Sequence, residues 1–466
     1  MRTLVTLLAI CGVCAACGQS PVAPTLPAWD KTLPDATVMG VHRGLTPARG
    51  IIHLHSPYSH DACDNAPRDA MTNAPNEACL ADLRYGLCAD RIDFAALTDH
   101  DASMADEVFP TLFNMRGSDQ AIMSSANEQV GSRMTCDDGH QVLWSVGSEN
   151  GIMPVMLDRH VAGDAQQRHA TYNGVDPAAI AAFHTAGGLA WIAHTEQHPI
   201  DQLRMLLPDG IEVYNLHANI DPKIRGPFLN LDPQGAIEGA VKFVDTTPGH
   251  PEPDLALLSF LSPNEPAIER WNQVLGDGRH VPATAGSDAH ENALPVMLAD
   301  RERGDSYRRV LRWFSNIVLV VDPHDPVQIE AALAAGRVFA VFEMMGTPEG
   351  FEVHATAGAA TFELGDTLHV ADAGTLTVDV PHVRGLDPML PTPEVRARIL
   401  WIDVVGAHVV GTGEGSQFSV SLTSPGVYRV EITIVPHHLG PYLADLGTAY
   451  ADAELPWIYA SPIYVQ

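Results

Sequence analysis

The chain is poor in basic charge. Lys31, Lys223 and Lys242 are its only lysines, and Lys+Arg 27 stand against Asp+Glu 57, a formal net charge of -30 over 466 residues. Such a deficit excludes a nucleic-acid coat or a bulk polyanion as partner, because those partners require basic patches. No C-x-x-C spacing occurs after residue 17, which argues against a thiolate metal cage. Beyond the first residues, no stretch reaches the roughly 18 uninterrupted apolar residues that a membrane-spanning helix needs. Wholesale disorder is excluded too, since hydrophobic residues make up 46% of the chain and can build real cores. The length corresponds to about two to three domains. Histidine, in contrast, is abundant, with 22 copies.

Residues 1–20 read MRTLVTLLAICGVCAACGQS. Arg2 gives a positive start, residues 4–13 a short apolar run, and small residues lead to Cys17. That pattern is a secretory signal peptide over 1–17. Cys14-Ala15-Ala16-Cys17-Gly18 resembles a bacterial lipobox. A lipid anchor at the cell envelope is therefore expected, with plain secretion as the alternative. Residues 18–47, rich in Pro and Ala, read as a tether. Cys11, Cys14 and Cys17 belong to the signal. Cys63, Cys79, Cys88 and Cys136 remain, and in an oxidising compartment they can form up to two disulfides, with three pairings open.

From about residue 50 to 345, short apolar runs rich in β-formers stop abruptly at metal-capable residues. The run 51–55 carries His53 and His55. The run 94–97 leads to Asp99 and His100, 142–147 to Glu149, and 189–193 to His194. Residues 211–214 lead to Asn215 and His217, 281–286 to Asp288 and His290, and 317–321 to Asp322 and His324. Helical patterns at 176–185, 264–275, 305–314 and 326–335 lie between several of them. Pro177 and Pro326 suit first helical turns, and Gly187 and Gly336 suit helix ends. Strand then helix, repeated, predicts parallel β/α structure. In closed β/α barrels the reactive residues gather at the C-terminal strand ends, so these strand ends are expected to share one mouth.

Alternation along a strand turns His53 and His55 to the same face. His60, with Asp61 beside it, can return to that mouth. Asp99 reads as an orienter of a ligand, and Glu149 as a carboxylate able to bridge two cations. Imidazoles mixed with carboxylates suit Zn²⁺, Mn²⁺ or Fe²⁺ better than Mg²⁺ or Ca²⁺.

The ordered motifs HLHSPYSHDAC, FAALTDHD, GSEN, GLAWIAHTE, GIEVYN and ATAGSDAH resemble the PHP superfamily, named for the polymerase and histidinol phosphatase. Within it, the chain is most similar to the secreted carbaryl-hydrolase-like branch. The resemblance covers roughly residues 48–345. It implies a distorted seven-stranded β/α barrel holding two divalent metal ions, with a third position. His53, His55, Glu149 and Asp288 match the ligands of one ion; His60, His100 and His290 match those of a second; His194 matches a ligand of the remaining position. Glu149, His194 and His290 are the implied catalytic residues. Ile152 stands where relatives carry a further His, which removes a ligand from the third position, and the spacing of His160 does not replace it. The implied activity is hydrolysis of a small phosphate ester by a metal-activated hydroxide. A carbamate, ester or amide hydrolase and a non-catalytic metal-binding envelope protein are the alternatives. His198, His217 and His324 are candidates to protonate a leaving group, and Arg159 to clamp an anion.

After residue 345 the texture changes to alternating apolar and polar runs at 351–355, 375–380, 397–405, 417–422 and 426–435. They predict a β-sandwich over 346–466 without catalytic motifs, with His437-His438 a solvated pair.

Overall fold

The apolar runs that precede the His, Asp and Glu motifs fold as strands, β1 (Thr46–Leu54), β2 (Phe94–Leu97), β3 (Gln141–Val146), β5 (Leu189–Ile192), β6 (Gly210–Asn215) and β7 (Ala283–Ala289), and a short strand not expected from the sequence, β4 (Met153–Val155), lies between β3 and β5 in the chain. The computed structural model describes residues 26–466. The signal-peptide and lipobox reading of residues 1–17 lies outside those described residues.

β2 and β7 flank the C-terminal half of β1 in parallel, β3 continues beyond β2, and β6 and then β5 continue beyond β7. Hydrogen bonds thus run β5-β6-β7-β1-β2-β3, with all six C-terminal ends on one side. Almost every residue of these strands is buried, as parallel strands covered on both faces require. β4 lies antiparallel to β5. It also meets the end of β3, where Ser148 N donates to Pro154 O (3.0 Å) and Leu157 N to Val146 O (2.7 Å).

The helices follow the punctuation in the sequence. Pro177–Thr185 starts on Asp176, whose side chain accepts from Ala179 N, and Pro326–Ala335 starts on Asp325 and ends at Gly336, φ 80°. These are side-chain N-caps and a left-handed C-terminal residue.

One strand runs against expectation. β8 (Ser315–Val320) is antiparallel to the first half of β1, with Val320 opposite Thr46. Its C-terminal end, with Asp322 and His324, therefore sits at the far pole from the other strand ends. Side-chain alternation carries no information on strand direction, so the run 317–321 looked like its neighbours. β9 (Val338–Val341) pairs antiparallel with β8, and Leu455–Ala460 then pairs with β9.

The whole is a mixed α/β fold with one large mixed sheet and separate small sheets. Strands after residue 345 divide between the two. Glu352–Ala357, Thr375–Asp379, Gln417–Ser421 and Ala360–Phe362 make a four-stranded sheet. Glu394–Asp403 and Gly426–Val435 belong to the large sheet, which Leu455–Ala460 joins to β9 across the expected boundary at residue 345. His438 is buried there, its Nε2 at 3.0 Å from Met345 O, so His437-His438 is not a solvated pair.

The described part of the expected tether is docked. Trp29 donates to Asp254 (2.8 Å), and Leu33, Ala36 and Met39 are buried. Apolar anchors spaced through a Pro-rich segment outweigh its composition. The disulfides pair Cys63 with Cys79 and Cys88 with Cys136, which leaves no thiolate for a metal among the described residues. No helix among them is long and apolar enough to cross a membrane.

Candidate metal centre

The shared strand ends carry a backbone that ordinary side chains resist. The pairing of β1 with β2 and with β7 shifts register between Ile52 and Leu54, and His53 there has φ 74°. His194 (φ 47°) and Asp288 (φ 50°) also lie in the left-handed region. Each such residue costs on the order of 1–3 kcal/mol and persists only where its surroundings over-determine it. His53 and His55 do face one cluster, on a strand that bulges between them and its neighbours.

Glu149 and Asp288 form the middle of that cluster. Glu149 Oε2 lies 3.2 Å from His53 Nε2, 3.3 Å from His55 Nε2 and 3.4 Å from His100 Nε2. Asp288 Oδ1 lies 3.4 Å from His53 Nε2, 3.2 Å from His55 Nε2 and 3.8 Å from His290 Nε2. His194 Nε2 reaches the other oxygen of each carboxylate, at 3.2 Å from Glu149 Oε1 and 3.1 Å from Asp288 Oδ2.

The opposite ring nitrogens are tied. Nδ1 of His53 is 2.7 Å from Glu212 Oε1, that of His55 is 3.1 Å from Ser59 Oγ, that of His100 is 2.8 Å from Glu149 O, and that of His194 is 3.2 Å from Glu196 Oε1. Because Ser59 Oγ donates to Asp61 (2.6 Å), it accepts from His55. Acceptors at Nδ1 place the proton there and leave the Nε2 lone pair facing inward, the arrangement of metal-bound histidines. Buried Nε2 atoms of His53 and His55 have no hydrogen-bond partner, and a buried unsatisfied polar atom is costly. A divalent cation among these atoms satisfies them, so the residues fit a metal.

Three groups of converging ligand atoms result: His53, His55, Glu149 and Asp288; His55, Asp61 and His100; and His217, Asp288 and His290. Asp254, Asp300 and Glu302 also converge, but Arg308, Arg309 and Lys31 neutralise them.

Charge is finely opposed here. Burial disfavours a protonated His53, His55 or His194, yet the neighbouring carboxylates overcome it and raise all three, His55 to about 10. Burial, aided by His217 and His55, outweighs Asp288 and Asp61 and pushes His290 down to about 4. In the metal-free protein the carboxylates thus favour a second proton on the imidazoles of His53, His55 and His194, and a cation competes with that proton. Metal affinity is expected to rise with pH through the neutral range, with proton release on binding. Calorimetry in buffers of different ionisation enthalpy checks this, and a pH-independent affinity would contradict it.

The expected ligands are placed as follows. His53, His55, Glu149 and Asp288 meet in one group, with His194 beside them. His60 does not join: its side chain is exposed, its ring 5.1 Å from that of His100. Asp61 takes the place instead, 3.3 Å from His100 Nε2. His290 converges with His217 and Asp288 rather than with His100. Ile152 is fully buried in the apolar core and supplies no ligand. Asp99 orients no imidazole; it accepts from Ser56 N (2.6 Å) and Ser56 Oγ (2.8 Å) and so holds the chain as it leaves β1. Arg159 is exposed and bonds to Thr185 O, His198 pairs with Gln202, and His160 bonds to Tyr172 and Glu107 O.

Glu212 went unnoticed in the sequence. It is fully buried on β6, and besides His53 it accepts from His194 N (3.1 Å) and Asn215 Nδ2 (3.2 Å). Its signal was a carboxylate between Ile211 and Val213 in a strand buried on both faces. Glu212→Gln is expected to weaken metal binding by about 10–100-fold, the usual effect of losing such a partner. Metal titration checks this; unchanged affinity would remove Glu212 from the centre.

No protein-family model matches the chain, and no curated protein is similar to it.

Proposed function

We propose that the protein is a metal-dependent hydrolase, in the first place a phosphoesterase of small molecules. The observation that carries this reading is the pair of buried, unpartnered Nε2 atoms of His53 and His55 facing Glu149 and Asp288, with each Nδ1 held from behind. Two ions, Zn²⁺, Mn²⁺ or Fe²⁺, are proposed, with the group at His217 and His290 as a third position. Bound cations supply Lewis acidity and a hydroxide near neutral pH. Glu149 presents both oxygens to different imidazoles and is the natural bridge. His53, His55, His194 and Asp288 hold the first position, and His100 with Asp61 the second.

The reading includes a PHP-like fold. Its support is the run of parallel strands, with β4 lying against both β3 and β5; the reading takes these seven strands as a distorted β/α barrel. The strands after residue 345 are then its β-sandwich. A cell-envelope location, lipid-anchored or secreted, is proposed from the lipobox, and two disulfides accord with an oxidising compartment.

A substrate panel tests the reaction class. Purified protein supplied with Mn²⁺, Zn²⁺ or Fe²⁺ is assayed on aryl phosphates, phosphodiesters, aryl esters and carbamates. Turnover of phosphates supports the first assignment. Turnover confined to esters or carbamates replaces it with an acyl hydrolase, and turnover of none with any metal overturns the enzyme reading.

A further inference from the structure

A cavity of about 420 Å³ opens beside the metal-ligand cluster. Its walls are Ile237, Ala240, Val241, Val244, Phe260 and Val296, from the helix Pro233–Val241 and the segments around it. His217, Ile220 and Ala293 border this cavity and also the small space against Asp288 and His290. The cavity therefore adjoins the candidate centre, with His217 between the two spaces.

Two features of the lining select a ligand. Val241 is 62% exposed, and Ile237, Val244 and Val296 are exposed beside it, so apolar side chains of one wall face open space, a mark of an interaction site. Asp221 is the ionisable carboxylate there, and no lysine or arginine among the described residues lines the cavity. His217, Asp221 and Asn292 are the polar side chains of a lining that is otherwise apolar, and an anionic group meets Asp221 with no lysine or arginine to offset it. A volume of this size takes a small drug-like group.

We propose that this cavity receives the alcohol portion of the substrate, and that this portion is apolar and uncharged: a phosphate ester of a hydrophobic phenol or alcohol, rather than a nucleotide or a sugar phosphate. The proposal rests on the hydrolase reading. In a phosphomonoester the charged phosphoryl group belongs at the cations, so the alcohol is all that remains to fill the cavity. In the reaction, water's oxygen bonds to phosphorus, the bond from phosphorus to the alcohol oxygen breaks, and that oxygen leaves with a proton.

The test uses full-length protein supplied with Mn²⁺. Wild type is expected to prefer 4-tert-butylphenyl phosphate over glycerol phosphate by roughly 100-fold in kcat/KM. Ala240→Trp, which fills the cavity, and Val241→Asp, which charges its exposed wall, are expected to reduce that preference by roughly tenfold or more, mainly through KM. Val241 is exposed, so its variant keeps the test open where Ala240→Trp fails to fold. Calorimetric binding of 4-tert-butylphenol is the readout that needs no turnover, and it is expected to weaken in both variants. A preference and a phenol affinity untouched by either variant would overturn the proposal. Phenol binding lost in the variants, with no ester hydrolysed by wild type, would uphold the cavity as an apolar site and sink the hydrolase reading.

Discussion

Glu149→Gln is expected to empty the centre of metal and to lower kcat/KM on the order of 10³-fold, ~4 kcal/mol of barrier. The amide keeps the shape of the side chain and removes its charge. Four imidazoles face that carboxylate, those of His53, His55, His100 and His194. Burial opposes its ionisation, and His53 with its neighbours holds it well below the ordinary carboxylate range. It is thus a permanent negative charge in the middle of the ligand set, which it shares with Asp288. Metal content per chain and hydrolysis rate, measured beside a thermal melt, give the answer. A folded variant that retains both metal and turnover would remove Glu149 from its central role.

Asp254→Asn is expected to destabilise the fold by about 3 kcal/mol, the low end of the cost of removing one partner from a buried ion-pair group, because Glu302 and Asp300 stay paired with the arginines. Asp254 is fully buried and accepts from Arg308 (2.5 Å and 3.0 Å), from Arg309 and from Trp29 (2.8 Å). Arg308 and Arg309 are themselves buried, so the amide leaves two guanidinium groups short of a counter-charge. Burial pushes the Asp254 carboxyl up, but Arg308 and the neighbouring arginines outweigh it and hold it at about 2, below the ordinary 3.8. Its contribution is therefore full above the ordinary value and is lost as pH falls through about 2. The same helix, Tyr307–Leu311, carries Tyr307, whose hydroxyl donates to His55 O (2.9 Å). Loosening this anchor reaches the metal centre. Urea unfolding at neutral pH measures the loss, and a midpoint equal to wild type would contradict the ion-pair account.

Much of the site was legible because its residues sit where apolar runs stop. A strand buried on both faces is a continuous hydrophobic run, and the residue that ends it is exposed to the mouth. That logic picked out His53, His55, Glu149, His194 and Asp288. It failed at β8, since the same pattern describes a strand running either way, and only the pairing of Val320 with Thr46 reveals its direction. It named His60 where Asp61 converges with His100, because the turn after β1 determines which of two adjacent side chains points inward. Glu212 was hidden for the opposite reason: a carboxylate inside a strand reads as its solvent face until both faces are known to be covered. Trp29 shows the same limit in the expected tether, where a partner 225 positions away helps convert a Pro-rich segment into packed structure.

The central claim is that His53 and His55 grip a cation. Chelated protein and the His53→Ala/His55→Ala double variant are dialysed against Mn²⁺ and Zn²⁺, and bound metal is counted per chain. Wild type is expected to take up metal and regain hydrolysis, while the double variant does neither although it folds. Equal metal uptake and equal hydrolysis by the double variant would contradict the account.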